Sequence, residues 1–214
     1  MTPLRWRERA KQRTSDRRRA RQELADRLGG RLLVGKRDTA DVVVVKHGPW
    51  AVRFDTHVVS TGYTTIIQTR VRCLARRRQP FKFVVRPRTA VDRLVEALGF
   101  RGMPGGDRDF RARYVAIGKP DSLLRALLAT DLPLAFQARD GLRLEVKKAS
   151  RKERKAYGVA TVALSVQTLG ILTDVDALTG LFDVATVALD ELARTGVLAA
   201  LEAAIPQSTS RTRA

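Results

Sequence analysis

The chain has 214 residues, 44% of them hydrophobic and 6% aromatic, with Lys+Arg 41 against Asp+Glu 22 and a formal net charge of +19. A chain of that length and apolar content removes roughly 70% of its unfolded surface from water on folding, which excludes disorder throughout and leaves room for one full domain or two small ones. The single Cys73 and the two histidines, His47 and His57, exclude a disulfide scaffold and a zinc centre built on several thiolates, and no cofactor is expected.

Met1 to Gly30 predicts one or two helices. Thr2-Pro3 supplies a cap and first turn, Ser15 can cap a restart, and Gly29-Gly30 after Leu28 supplies a stop. Ala20, Leu24 and Leu28 form a thin apolar stripe beside Arg17, Arg18, Arg19 and Arg21, so this segment is expected to dock weakly. Because Met1 to Arg21 never becomes apolar, the start does not read as a secretory signal, and a cytoplasmic protein is expected.

From Arg31 the pattern turns to β. Leu32–Val34, Asp41–Lys46, Ala51–Val59 and Tyr63–Leu74 predict a meander of antiparallel strands separated by Lys46-His47-Gly48-Pro49 and Ser60-Thr61-Gly62. Phe81–Arg86 predicts a further strand, and Ala90–Leu98 a helix with Val91, Leu94, Val95 and Leu98 turned inward. Phe110–Ile117 predicts a strand and Pro120–Ala129 a helix. Leu134–Ala138 is expected to pair with Leu142–Val146 across Asp140-Gly141.

Lys147–Lys155 reads as a basic loop. Ala156–Thr173 carries no charge, but its polar and β-branched residues read as a buried strand rather than a membrane span. Thr173 and Asp176 have the spacing of a capping box, and Leu178 to Leu192 define a helix with one apolar face, ended near Gly196. Hairpins with helices at their ends and no regular βαβ alternation indicate an α+β fold: a curved, mainly antiparallel sheet packed against a long C-terminal amphipathic helix. The expected organisation is a basic helical arm (1–28), a single α+β domain (29–206) and a disordered tail (207–214).

The charge is segregated along the chain. Met1–Leu28 holds ten basic residues against four acidic, and Thr69–Arg93 holds nine against Asp92 alone. Gly170–Pro206 reverses the balance, with Asp174, Asp176, Asp183, Asp190, Glu191 and Glu202 against Arg194. Such asymmetry attracts polyanions at long range. The competing explanation is a coding composition rich in Arg, with no special partner.

The chain carries no dinucleotide GxGxxG, phosphate loop, HExxH, GxSxG, zinc-finger, RNP or basic-zipper pattern, so a non-enzymatic role is expected. Three residue groups carry weaker chemical signals. Asp107 and Asp109 read as loop caps before they read as cation ligands. Asp55 and His57 share a strand face with no nucleophile beside them, and Cys73 at a strand end reads as a partly buried, inert thiol despite its basic neighbours.

Three stretches, HGPWAVRFDTHVVSTGYTTIIQTRVR, GDRDFRARYVAIGKPDSLLRALLA and LSVQTLGILTDVDALTGLFDVATVALDEL, together resemble an uncharacterised bacterial family, a domain of unknown function of α+β proteins. The resemblance spans most of Leu24–Leu192 and implies the fold, with no activity to carry over. The chain departs from that pattern at Arg111, where an acidic residue is common, at Tyr114, where Phe is usual, and in its basic Arg76–Arg78 cluster.

The function expected from these features is polyanion binding, with non-sequence-specific nucleic acid as the partner held through phosphate contacts. The candidate contacts are Arg17, Arg18, Arg19, Arg70, Arg72, Arg76, Arg77 and Arg78, the densest basic clusters. An anionic membrane surface or an acidic protein ranks below nucleic acid. The alternatives are a protein-interaction or homo-oligomerisation module that assembles through the apolar helix and sheet, and a small-ligand-binding domain or enzyme with a pocket under the helix.

Overall fold

Nine strands, all paired antiparallel, organise this computed structural model, which describes residues 3–35, 41–60, 62–97, 106–137 and 140–201. The first element is one continuous helix, α1 (Pro3–Arg27), with no restart at Ser15. Its Ala20, Leu24 and Ala25 are buried, so it is docked in the core rather than held weakly against it. The thin stripe understated the contact because Arg17, Ala20, Arg21, Leu24 and Ala25 fall on one helical face, and the two arginine stems bury along with the apolar residues. Gly29 at φ +62° ends the helix, and a Cβ at Gly30 would stand 2.8 Å from the Val44 carbonyl oxygen.

Four strands follow as a meander: β1 (Arg31–Leu33), β2 (Val42–His47), β3 (Trp50–Ser60) and β4 (Thr65–Arg77). Then come β5 (Lys82–Pro87) and α2 (Ala90–Ala97). The inward packing expected of α2 is not found at Val91 and Leu94, which are 67% and 62% exposed; the side chains of Val95 and Leu98 lie outside the described residues. Asp92 instead anchors this helix by capping Thr89 and receiving both arms of Arg86.

Of the expected strands, Phe110–Ile117 is helical in its first half and Leu134–Ala138 is helical through residue 137. Residues 108–113 form α3 (Arg108–Arg113), because the Asp107 carboxylate accepts from the Phe110 N–H at 2.7 Å and starts a turn there; only then does β6 (Tyr114–Lys119) begin. After α4 (Asp121–Leu128), residues 132–137 form α5 (Leu132–Gln137), whose Leu132, Pro133 and Phe136 bury one side. The expected hairpin across Asp140-Gly141 is therefore absent. β7 (Arg143–Lys148) pairs with β5 and with β8 (Thr161–Leu169) instead.

The expected basic loop contains α6 (Arg151–Tyr157), opened by a full capping box between Ser150 and Glu153. The long helix α7 (Val175–Arg194) is capped by Asp174, whose carboxylate accepts from the Ala177 N–H, and not by Thr173. Gly196 (φ +69°) turns the chain into β9 (Leu198–Ala200), which pairs with the end of β4 beyond the reach of β3.

The strand order is β1-β2-β3-β4-β8-β7-β5-β6. α7 buries Leu178, Leu181, Ala185, Leu189 and Leu192 against the sheet, so the long-helix-on-sheet α+β architecture read from the sequence is the one found. α1 lies beside α7, and α3, α4 and α5 continue the same layer over β6. Burying each of the larger side chains of α7 contributes about 1.5–3 kcal/mol. The expected tail, 207–214, lies outside the described residues, as does the end of the expected domain from 202 onward.

Candidate functional site

Directly opposed residues of an antiparallel pair project from the same side of a sheet, so the register reads out what the side away from α7 carries. One transverse row crosses six strands: Arg53, Arg72, Ser165, Glu145, Val84 and Ile117. The next row holds Asp55, Arg70, Gln167 and Arg143. A third places Lys82 directly opposite Lys119. The aromatic side chains of these strands, Phe54 and Phe83 among them, turn the other way into the core. One short helix, α6, lies over this side, tied down by a bidentate pair between Arg72 and Glu153.

The carboxylates here are already committed. Asp55 receives the Arg70 Nε and Nη2 at 2.9 and 2.8 Å. The guanidinium of Arg72, with help from Ser150, holds the Glu153 carboxyl down to about 2, and the same pair raises Arg72. Burial pushes the Glu145 carboxyl up, but Lys147 and Arg143, each bonded to one of its oxygens, overcome that and leave it below its ordinary value. Arg86 and Thr89 likewise hold Asp92 well below the usual carboxylate range. By contrast Arg53, Arg76, Arg78, Lys82 and Lys119, with Arg151, Lys152 and Lys155 on α6, have no carboxylate partner among the described residues. The opposite layer presents Asp174, Asp176, Asp183 and Asp190 on and beside α7.

The residues singled out from the sequence do not converge on one patch. Arg17, at 5% exposure, is buried on α1; Arg18 bonds Asp41 at 3.2 Å; Arg19 is exposed. These three belong to the helix layer, whereas Arg70 and Arg72 lie mid-face on the other side of the sheet in their ion pairs. Arg76 and Arg78 line an open hollow of about 290 Å³ with Tyr157 at the end of α6. Arg77 alternates to the helix side opposite Leu198. Missed by the sequence reading were Arg53, Lys82, Lys119 and the α6 cations. The signal for Lys82 was the alternation Lys82-Phe83-Val84-Val85-Arg86, in which Phe83 and Val85 face the core and both cations fall on the other face.

Set beside known proteins, the chain matches no family model, no curated protein and no solved structure.

The remaining reactive side chains are occupied structurally. Asp107 caps α3 and accepts from Gln137 at 2.6 Å. Asp55 is held by Arg70 rather than by His57, and burial together with the Arg70 charge lowers the His57 imidazole. Burial pushes the Cys73 thiol up to about 12 against the pull of Arg72. His47 meets Asp190 at 3.0 Å and the edge of Phe182. Among the described residues no three His, Cys, Asp or Glu side chains gather as a metal site, and no helix is long and apolar enough to cross a membrane.

Proposed function

We propose that the protein binds nucleic acid without sequence specificity, through phosphate contacts on the face of the sheet away from α7 and on α6. The observation that carries the reading is the pairing of that face: Asp55, Glu145 and Glu153 are all taken up by Arg70, Arg143 with Lys147, and Arg72, so the cations left over add without compensation. A broad cationic face with its carboxylates ion-paired attracts a polyanion through its phosphates. The α1 arginines lie outside this surface, in the helix layer, where Arg17 is buried and Arg18 is held by Asp41.

The test is a salt series of affinity for duplex and single-stranded DNA. Each phosphate neutralised contributes about −0.9 to the slope of log K against log salt for a duplex, and about −0.7 for a single strand. Arg53→Glu combined with Lys152→Glu is expected to lower both the affinity and the slope, whereas Arg19→Glu changes them little. Absence of binding at low salt, or a slope of zero, overturns the proposal. Tighter binding to anionic vesicles than to either nucleic acid transfers the surface to a membrane and overturns it equally.

A further inference from the structure

Where β5, β6 and β7 meet, the cationic face is indented by a groove of about 510 Å³. Its lining falls into three kinds of chemistry. Lys82 and Lys119 are exposed and directly opposed, a like-charge cross-strand pair with no carboxylate partner among the described residues. Such a pair is unfavourable until an anion lies between the two ammonium groups. The next row, about 7 Å further along the strands, is apolar: Val84 opposes Ile117, which is 52% exposed. Beside Val84 in that row stands Glu145, 8% exposed, held ionised by Arg143 and Lys147. Each of its oxygens accepts one of those bonds and has a second lone-pair site left.

The strands can approach this closely because residue 118 is glycine: a Cβ there would stand 2.7 Å from Phe83 Cβ. Anion site, apolar shelf and hydrogen-bond acceptor thus follow one another in the order phosphate, ring face and exocyclic amine of a nucleotide. From this arrangement we infer that the groove is a single-nucleotide subsite selecting bases that carry an exocyclic amine, with the phosphate on Lys82 and Lys119, the base on Val84 and Ile117, and its amino group donating to Glu145. A carboxylate accepts from cytosine N4 or adenine N6; thymine and uracil present a carbonyl there and are repelled. The inference rests on the nucleic-acid reading and deepens it: the favoured polymer is single-stranded, since a base must leave its stack for its ring face to lie on Val84 and Ile117.

Affinities of labelled oligo(dC) and oligo(dT) of equal length, at matched salt, test it. The native protein is expected to prefer oligo(dC) by roughly ten- to a hundredfold, the scale of one hydrogen bond to an ionised group. Glu145→Gln is expected to abolish or reverse that ratio, because the amide can donate to the thymine carbonyl, while Lys82→Ala with Lys119→Ala weakens both oligomers alike. Equal affinities in the native protein, or a preference that survives Glu145→Gln, overturns the subsite while a salt-dependent affinity leaves the nucleic-acid reading standing. Loss of all salt-dependent binding overturns both. A measurement without variants accompanies these: oligo(dC) should protect Lys82 and Lys119 from amine acetylation, and unchanged acetylation at both lysines overturns the subsite.

Discussion

Single residues divide this molecule's many arginines into working groups with different chemistry. Arg21 is internal, donating to the Asp41 carbonyl and to the Thr56 hydroxyl at 2.6 Å while its stem lies in the core. Arg21→Ala is expected to cost about 2–4 kcal/mol in urea denaturation, because two acceptors and a packed stem are lost together. Arg72 is a fastener between sheet and α6. Its partner Glu153 is depressed from 4.5 to about 2, so the folded state binds protons less readily than the unfolded chain. That stability is fully present above the unfolded value and is lost as pH falls from about 4.5 through about 2. Glu153→Gln is expected to flatten the acid limb of the pH–stability curve in that window and to leave the limb near neutral pH shifted down by about 1–3 kcal/mol, read from denaturation midpoints.

Elements differ in how much of the fold depends on them, and amphipathic pattern alone does not rank them. α7 and α2 both show an apolar face, yet α7 meets the sheet whereas α2 is held at one end by the Arg86–Asp92 pair with Val91 and Leu94 outside. Leu181→Ala is therefore expected to cost about 2–5 kcal/mol, through lost burial and the cavity left behind. Leu94→Ala should stay within about 0.5 kcal/mol. Chemical denaturation of the two variants compares them directly, and an equal cost would mean that α2 carries core contacts. The strand–helix errors at 110–113 and 134–137 have a local cause. Short runs of about six residues show either period equally well, and a single cap at Asp107 or a proline in the first turn tips them to helix.

At the scale of the whole molecule the sheet separates two sets of charges. The helix layer carries the arginines of α1 beside the acidic residues of α7, and the other side is left to cations whose local carboxylates are already paired. Steering by such a field acts on the association rate, so the on-rate for single-stranded DNA is expected to fall steeply between low and physiological ionic strength while the off-rate changes less. Stopped-flow measurement at two salt concentrations checks this. Asp183→Asn, on the α7 side, should leave the on-rate within about twofold, since roughly a Debye length of 8–10 Å separates effective from screened charges.

Local periodicity and composition were enough to establish the α+β class, the antiparallel meander from β1 to β4, the long apolar-faced helix and the excess of positive charge. Those properties depend on neighbours two to four residues apart, which a linear string displays. Which arginines remain available is another kind of fact. It follows from partners 15 and 81 positions away, Asp55 for Arg70 and Glu153 for Arg72, and from a strand order in which β8 and β7 come between β4 and β5. Long-range pairing of that sort sets burial, register and neutralisation together. Only the folded sheet could therefore separate α1 from β4 onto opposite sides and bring Lys82, Lys119 and Glu145 to one groove.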